Sequence, residues 1–217
     1  MLETRVNALN SQFNPHFIYN AMESISSMAM LDDNPRVSIA ICSFSELLRQ
    51  NIRRDRYNCR LYDEIEYIKR YLSVIDIVYP RRVKTNYIFD ETIKDFIVPS
   101  FILHPILENC IVHGVEKSSH EMEISIECYR LDEMINIIVR DTGEGIDKNI
   151  LDEINTDLCN ANENDDESSN NGMHIGLRNT NQLIKIQYGE HARIKLYPNK
   201  PKGLIVDIMI PFKQIRV

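Results

Sequence analysis

Three short stretches of this chain hold residue types whose spacing suits chemistry. The first is Glu108-Asn109-Cys110-Ile111-Val112-His113-Gly114. On a helix, Asn109 and His113 stand four apart and share a face. A carboxylate beside an amide oxygen suits Mg²⁺, a hard cation that takes few protein ligands and keeps waters and phosphate oxygens. Asn109 is therefore the candidate ligand, with Glu108 acting on the ion or on a bound water. The second stretch, Asp141-Thr142-Gly143-Glu144-Gly145, follows a strand-like run. Its glycines let the backbone turn closely against a ligand, and Asp141 can accept a hydrogen bond from an exocyclic amine such as that of adenine. The third, Gly172-Met173-His174-Ile175-Gly176-Leu177-Arg178-Asn179, opens a helix. Backbone N–H groups at a helix N-terminus bind phosphate, Gly176 permits the approach, and Arg178 adds a fixed positive charge.

Each stretch alone is weak: a D-x-G-x-G is found in many ordinary turns, and Glu108-Asn109 reads equally as the polar edge of an apolar helix. Their order and spacing, with a polar loop before the third, are more specific. Together they resemble the N, G1 and G2 boxes of the Bergerat ATP-binding fold shared by histidine kinases, gyrase B, Hsp90 and MutL. The resemblance implies ATP and Mg²⁺ as cofactors. It implies nucleotide contacts at Asn109, His113, Asp141, Gly143, Gly145, Gly176, Leu177 and Arg178.

A further stretch, Ser11-Gln12-Phe13-Asn14-Pro15-His16-Phe17-Ile18-Tyr19-Asn20, is similar to the Q-x-N-P-H-F-x-x-N phosphoacceptor box of the LytS/YehU-type sensor histidine kinases. Glu64-Ile65-Glu66-Tyr67-Ile68 with Tyr71-Leu72, the segment Pro99 through Gly114, and Gly176-Leu177-Arg178-Asn179 with Tyr188-Gly189 resemble further stretches of that family. The likeness runs from about Leu9 to Pro211. It implies that His16 accepts the γ-phosphoryl of ATP and passes it to a response-regulator aspartate. Asn20 and Glu23 lie on the same helical face as His16; Asn20 would orient it or hold a water, and Glu23 reads more simply as a solvated residue. Pro15, inside an apolar helical run, is expected to kink the helix and expose His16.

The chain departs from the family pattern in places. Val112 stands where a lysine is common, so Arg178 or another cation such as Lys117 would have to replace that phosphate contact. His174 replaces a glycine of the third box, His104 a glutamine, and Leu183 an arginine. Two other readings stay open: a regulatory ATPase or serine kinase on the same fold, and a non-catalytic module that binds a response regulator.

The elements that must position these residues follow from periodicity. No glycine precedes Gly114. Apolar residues recur at helical spacing from Phe13 to Met28, from Val37 to Ile52 after Pro35, and from Leu61 to Tyr79, where Pro80 stops the helix. Asp33 and Asn34 supply a cap before Pro35. Beyond Pro80, strands are expected at Val83–Phe89, Met122–Tyr129, Met134–Arg140, Ala192–Tyr197 and Leu204–Ile210, the second and third forming a hairpin around Asp132-Glu133. Helices are expected at Phe101–Val112, closed by Gly114, at Asn149–Leu158, and at Leu177–Tyr188, closed by Gly189. The stretch Asn160–Asn171 is too polar to pack; its Glu163, Asp165, Asp166 and Glu167 would repel a triphosphate and are expected in solvent.

The fold class is thus α+β: a helical dimerisation and phosphoacceptor segment (1–82) followed by a two-layer α/β sandwich of Bergerat type (83–217). The apolar faces of the first two helices exceed what one hairpin hides, so a homodimeric four-helix bundle is expected.

Composition agrees. The chain has 217 residues, 43% hydrophobic and 26% charged, with net charge −7. That balance argues against nucleic acid as a partner. No run of apolar residues is long enough to span a membrane. The five cysteines are scattered without a C-x-x-C, which disfavours a disulfide framework and suits a reducing cytoplasm. Because the family usually carries N-terminal membrane helices, the chain reads as the cytoplasmic portion of a membrane protein, joined to the membrane only through regions absent here.

Overall fold

The computed structural model describes residues 15–31, 33–53, 57–115, 120–160 and 172–212. Helix α1 (Pro15–Leu31) opens the described residues, with Pro15 the first of them. The arm that would precede a kink at Pro15 lies outside the described residues, as do the side chains of His16 and Asn20. The other end of α1 is a Schellman turn. Asp33 is left-handed with φ 52°. Its N–H bonds the Met30 carbonyl at 3.3 Å, and the Asn34 N–H bonds the Ala29 carbonyl at 2.8 Å. Asp33 therefore closes α1, and Asn34 alone stands at the start of α2 (Pro35–Arg53), where its backbone carbonyl accepts the Ser38 N–H at 3.3 Å. The two helices pair as an antiparallel hairpin around a small polar seam in which Ser26 Oγ lies 2.7 Å from Ser38 Oγ. Ile25, Met28, Ile39 and Phe44 stay exposed, Met28 by 63%, leaving apolar surface that the hairpin itself does not hide.

Strand β1 (Asn58–Arg60) leads into α3 (Leu61–Val78). Then come β2 (Val83–Phe89), a short 3₁₀ turn at Glu91–Ile93, and β3 (Ile97–Pro99), which pairs antiparallel with β1. The buried face of α3 (Leu61, Ile65, Ile68, Leu72) joins the core of the sheet unit, although α3 precedes the expected boundary near Pro80. Glu64 on that face is fully buried. Its two carboxylate oxygens accept the Leu103 and Phe101 N–H groups, each at 3.1 Å. Phe101 is left-handed (φ 67°), so this carboxylate holds an irregular turn that leads straight into the next helix. Glu64→Ala removes the carboxylate that accepts from two N–H groups, at about 1–3 kcal/mol each. We expect a stability loss of about 3 kcal/mol, read as a lower denaturation midpoint with unchanged slope, and a smaller loss for Glu64→Gln.

Helix α4 (His104–Cys110) is shorter than the expected Phe101–Val112 helix and runs on into a π turn at Ile111–Val115. Gly114 sits inside that turn and is not the left-handed cap expected of it. A Cβ there would fall 2.2 Å from Met122 Sδ, so a side chain at this position would have to displace the end of the Met122 side chain. Strands β4 (Met122–Leu131) and β5 (Met134–Asp141) form the expected hairpin; Asp132 is left-handed at its turn. Helices α5 (Lys148–Asn160) and α6 (Gly172–Tyr188) follow, then β6 (Arg193–Pro198) and β7 (Leu204–Pro211). Gly189, with φ 86°, ends α6 as expected.

The sheet order is β2-β4-β5-β7-β6, with β2 parallel to β4 and every other pair antiparallel. Helices α4, α5 and α6 pack over it through Ile106, Leu107, Ile154, Leu177 and Ile184, giving the expected α+β sandwich. β5 is the central strand and is buried along most of its length, which delivers Asp141 to the interior. The acidic stretch carrying Glu163, Asp165, Asp166 and Glu167 lies outside the described residues.

Candidate functional site

A cavity of about 380 Å³ opens between α4, the end of β5, the loop after it, α5 and α6. Its walls are largely apolar, with Ile106, Ile150, Ile154, Leu177, Leu204 and Val206 contributing. Polar groups converge at one end. Asp141, at the end of β5, is 7% exposed. Its Oδ1 accepts the Gly143 N–H at 2.8 Å and the Leu204 N–H at 3.3 Å, while Cys110 Sγ donates to Oδ2 at 3.7 Å. Burial pushes the Asp141 carboxyl above the ordinary range, against the opposing pull of those two backbone N–H groups. Burial beside Asp141 likewise pushes the Cys110 thiol well up, so it remains a protonated donor.

Tight backbone contacts fix this corner. A Cβ on Gly143 would meet Asp141 Oδ1 at 3.0 Å, and Gly145 lies left-handed (φ 74°) against the backbone of Gly203. Asn199 Nδ2 donates to the Asp141 carbonyl at 2.7 Å, which ties the β6–β7 turn to the same residue. The backbone N–H of Thr142 bonds the Glu123 carbonyl and its Oγ1 accepts the Glu123 N–H, anchoring the loop to β4. Near the mouth, Lys202 pairs with Glu144.

Six of the residues expected to contact nucleotide line this cavity: Asn109, His113, Asp141, Gly143, Gly145 and Leu177. Asn109 and His113 share the face that helical spacing predicts even though the helix widens into a π turn between them. Glu108 is exposed and does not line the cavity. Gly176 and Arg178 do not line it either. Gly176 is inside α6, past its first turn, where a Cβ would meet Pro105 Cβ at 3.0 Å. The close approach this glycine allows is that of α6 to α4, which corrects its expected place at a helix N-terminus. Val112, in the position where a lysine is common, is surface-exposed.

Motif reading missed Cys110 as a partner of Asp141, and it missed the apolar wall from α5, β6 and β7. The wall was detectable as the i, i+4 apolar pair of α5 (Ile150, Ile154) and the alternation of β7; the Cys110 contact had no local signal. His104 is outside the cavity, its ring 5.0 Å from that of Tyr71. Burial lowers its pKa and keeps it neutral.

Asn109 presents a hard amide oxygen at the cavity wall, and no cluster of three or more His, Cys, Asp or Glu side chains exists among the described residues. This sparse donor set fits Mg²⁺, which needs one or two protein ligands when phosphate oxygens complete its shell. It does not fit a caged structural metal.

A sandwich of this topology, with a buried carboxylate at the end of its central strand in the wall of an apolar cavity, has the fold of the Bergerat ATP-binding class. Comparison with known proteins agrees. The family model described as histidine kinase-, DNA gyrase B-, and HSP90-like ATPase matches residues 99–214, and the model described as histidine kinase matches residues 4–83. Sensor histidine kinase YesM of Bacillus subtilis is 28% identical over 209 residues, covering 96% of this chain and 33% of that protein. Sensor protein LytS of Oceanobacillus iheyensis is 26% identical over 215 residues, covering 99% of this chain and 35% of that protein. The chain thus spans about a third of the length of the curated relatives it matches. Among solved structures, the catalytic domain of histidine kinase ThkA superposes with a TM-score of 0.51 at 16% identity, over 71% of this chain and 95% of that one; this likeness speaks for the fold alone. The chain belongs to the sensor histidine kinase family of two-component systems, whose ATPase portion is of the histidine kinase-, DNA gyrase B-, and HSP90-like kind.

Proposed function

We propose that the chain binds Mg-ATP in this cavity and transfers the γ-phosphoryl group to His16, then to an aspartate of a response-regulator receiver domain. The observation that carries the first part is Asp141: a buried carboxylate in the wall of an apolar cavity of purine size, with one oxygen held by backbone N–H groups and the other accepting from the Cys110 thiol. An exocyclic amine of adenine completes its acceptor shell, and the aliphatic walls exclude water from the base. His113 and Asn109 line the same cavity. Asn109 would hold Mg²⁺, which supplies charge neutralisation at the phosphates.

His16 is the nucleophile. An imidazole with an unperturbed pKa near 6.5 is substantially neutral at cellular pH. One ring nitrogen forms the N–P bond as the bond from Pγ to the bridging oxygen breaks, ADP leaves with that electron pair, and the imidazole proton goes to solvent. Asn20, one turn along α1, would orient the ring. Glu23 pairs with Arg49 at 3.7 Å while both stay exposed, which favours its reading as a solvated residue. Glu108, on the exposed side of α4, would act only from the rim of the site.

The same reading assigns residues 1–82 to dimerisation and phosphoacceptance and 83–217 to ATP binding. The exposed apolar residues of α1 and α2 support a homodimer through these helices. Among the described residues no helix is long and apolar enough to cross a membrane. We place the chain on the cytoplasmic side of a membrane-anchored sensor. Incubation with γ-labelled ATP and Mg²⁺ should label the wild-type chain and leave His16→Ala blank; equal labelling of both would sink this assignment.

A further inference from the structure

The turn between β6 and β7 sits against Asp141, and the residue that fastens it there is Asn199. The β5–β7 ladder ends with Arg140 opposite Ile205, one step short of Asp141. The Asp141 carbonyl therefore has no strand partner on this side, and a side chain takes that place: Asn199 Nδ2 donates to it at 2.7 Å. The rest of Asn199 closes the turn itself. Its Oδ1 accepts the Lys200 N–H at 2.9 Å, and its backbone N–H bonds the Gly203 carbonyl at 3.0 Å. Asn199 thus holds the turn shut with one set of atoms and ties it to the end of the central strand with another.

The turn then delivers the Leu204 N–H, which reaches Asp141 Oδ1 at 3.3 Å, longer than the 2.8 Å bond from Gly143. A hydrogen bond already past the ordinary range is lost on a small displacement. We propose that Asn199 is a positioning residue for the nucleotide site: by fastening the β6–β7 turn to the Asp141 carbonyl it sets the Leu204 N–H on Oδ1 and so orients the carboxylate for a donor from the base. The inference rests on the reading that this cavity takes ATP. Asn199 is not among the residues that line the cavity, whereas Asp141 and Leu204 are, so its effect passes through those two. Without its donor the Asp141 carbonyl loses its partner and the turn is free to lift, which ends the Leu204 bond. That bond favours the ionised carboxylate against the pull of burial. Its loss makes Asp141 take up a proton at a higher pH.

Calorimetric titration of the whole chain with Mg-ATP, repeated across the acid range, tests this. In Asn199→Ala the affinity at neutral pH should fall roughly three- to tenfold, the worth of one hydrogen bond. The pH at which affinity declines should move up by about 0.5–1 unit. Asn199→Ser keeps an oxygen for the Lys200 N–H but is too short to reach Asp141. It should show the same two changes, and it serves if the alanine variant does not fold. Cys110 and His113 on α4, Glu144 and Asp147 in the loop after β5, and Lys202 on the turn are present in every variant, so the shift reports where the turn stands. Gly189→Ala, remote from the cavity, should lower the melting temperature and move neither affinity nor midpoint. Curves for both Asn199 variants that overlay the wild type would overturn the inference while the ATP site stands. So would a loss of affinity with the midpoint unmoved, the mark of a merely structural role, or a midpoint that moves as far in Gly189→Ala. Wild type that binds no Mg-ATP would overturn the ATP site, and the inference with it.

Discussion

Asp141→Asn should weaken ATP binding roughly ten- to hundredfold, the worth of one hydrogen bond to a charged group in a buried site. The substitution keeps size and shape, so the loss is chemical. The single amide oxygen is claimed by the Gly143 and Leu204 N–H groups that now share Asp141 Oδ1. The amide nitrogen must then stand where Oδ2 stands, with its donors aimed at the Cys110 thiol and at the adenine amine, both donors themselves. Fold stability should change little or rise, because a buried charge is removed. The pH dependence carries the same signature. The Asp141 carboxyl is raised by burial, so it takes up a proton at a higher pH than a free aspartate would. Nucleotide affinity should decline as pH falls through that raised value, because only the ionised form offers Oδ2 as a full acceptor. Stability has the opposite sign. A group that binds its proton more tightly when folded stabilises the fold below its unfolded pKa, and that contribution is lost as pH rises through the folded value. Calorimetric affinities across the acid range, with Asp141→Asn as a flat control, check both; an affinity curve identical in the two proteins would remove Asp141 from the site.

Gly203→Ala should be the most damaging small substitution in the sheet unit. Gly203 has φ 118° and its Cβ would fall 2.0 Å from the carbonyl oxygen of Asp141 and 3.0 Å from Thr142 Cα. Those are backbone atoms at the end of the central strand and cannot step aside as a side-chain tip can. Strain at a disfavoured φ together with displacement of β5 should cost about 3–5 kcal/mol. For a chain of this size that lowers the melting temperature by roughly 6–20 °C. Gly189→Ala is the matched control: it too is left-handed (φ 86°), but nothing lies within 4 Å of its Cβ, so it pays the backbone term alone, about 1–2 kcal/mol. A thermal melt that ranks the two variants equally would contradict the contact. Because Gly203 presses on Asp141, any folded Gly203→Ala should also bind ATP poorly.

The legibility of this molecule in its sequence follows the range of its contacts. Helix α3, the β4–β5 hairpin and the stop at Gly189 are written in spacing and turn residues a few positions apart, and they stand where periodicity puts them. Asn109, His113 and Asp141 were also readable, since each lies in a short box whose chemistry is local. What could not be read depends on distant pairs. Cys110 meets Asp141 across 31 positions, and the Leu204 N–H reaches it across 63. Glu64 looks like one more charge on an amphipathic helix until the turn at Phe101–Leu103 closes on it. Gly114 and Gly176 both sit in motifs that suggest turns or phosphate, yet their missing side chains are filled by Met122 and Pro105. The length of α4 was misjudged because a π turn keeps the apolar pattern going after the α-helical bonds have ended.

The central claim is that this chain carries phosphate on the imidazole of His16. The direct measurement is to react it with Mg-ATP, digest it at neutral to mildly alkaline pH, and map the phosphorylated peptide by mass spectrometry alongside an acid-stability assay. Phosphate is expected on the peptide containing His16, assigned to the histidine and lost on brief acid treatment. An acid-stable phosphate on serine or threonine, or phosphate on any other residue with His16 unmodified, would contradict it.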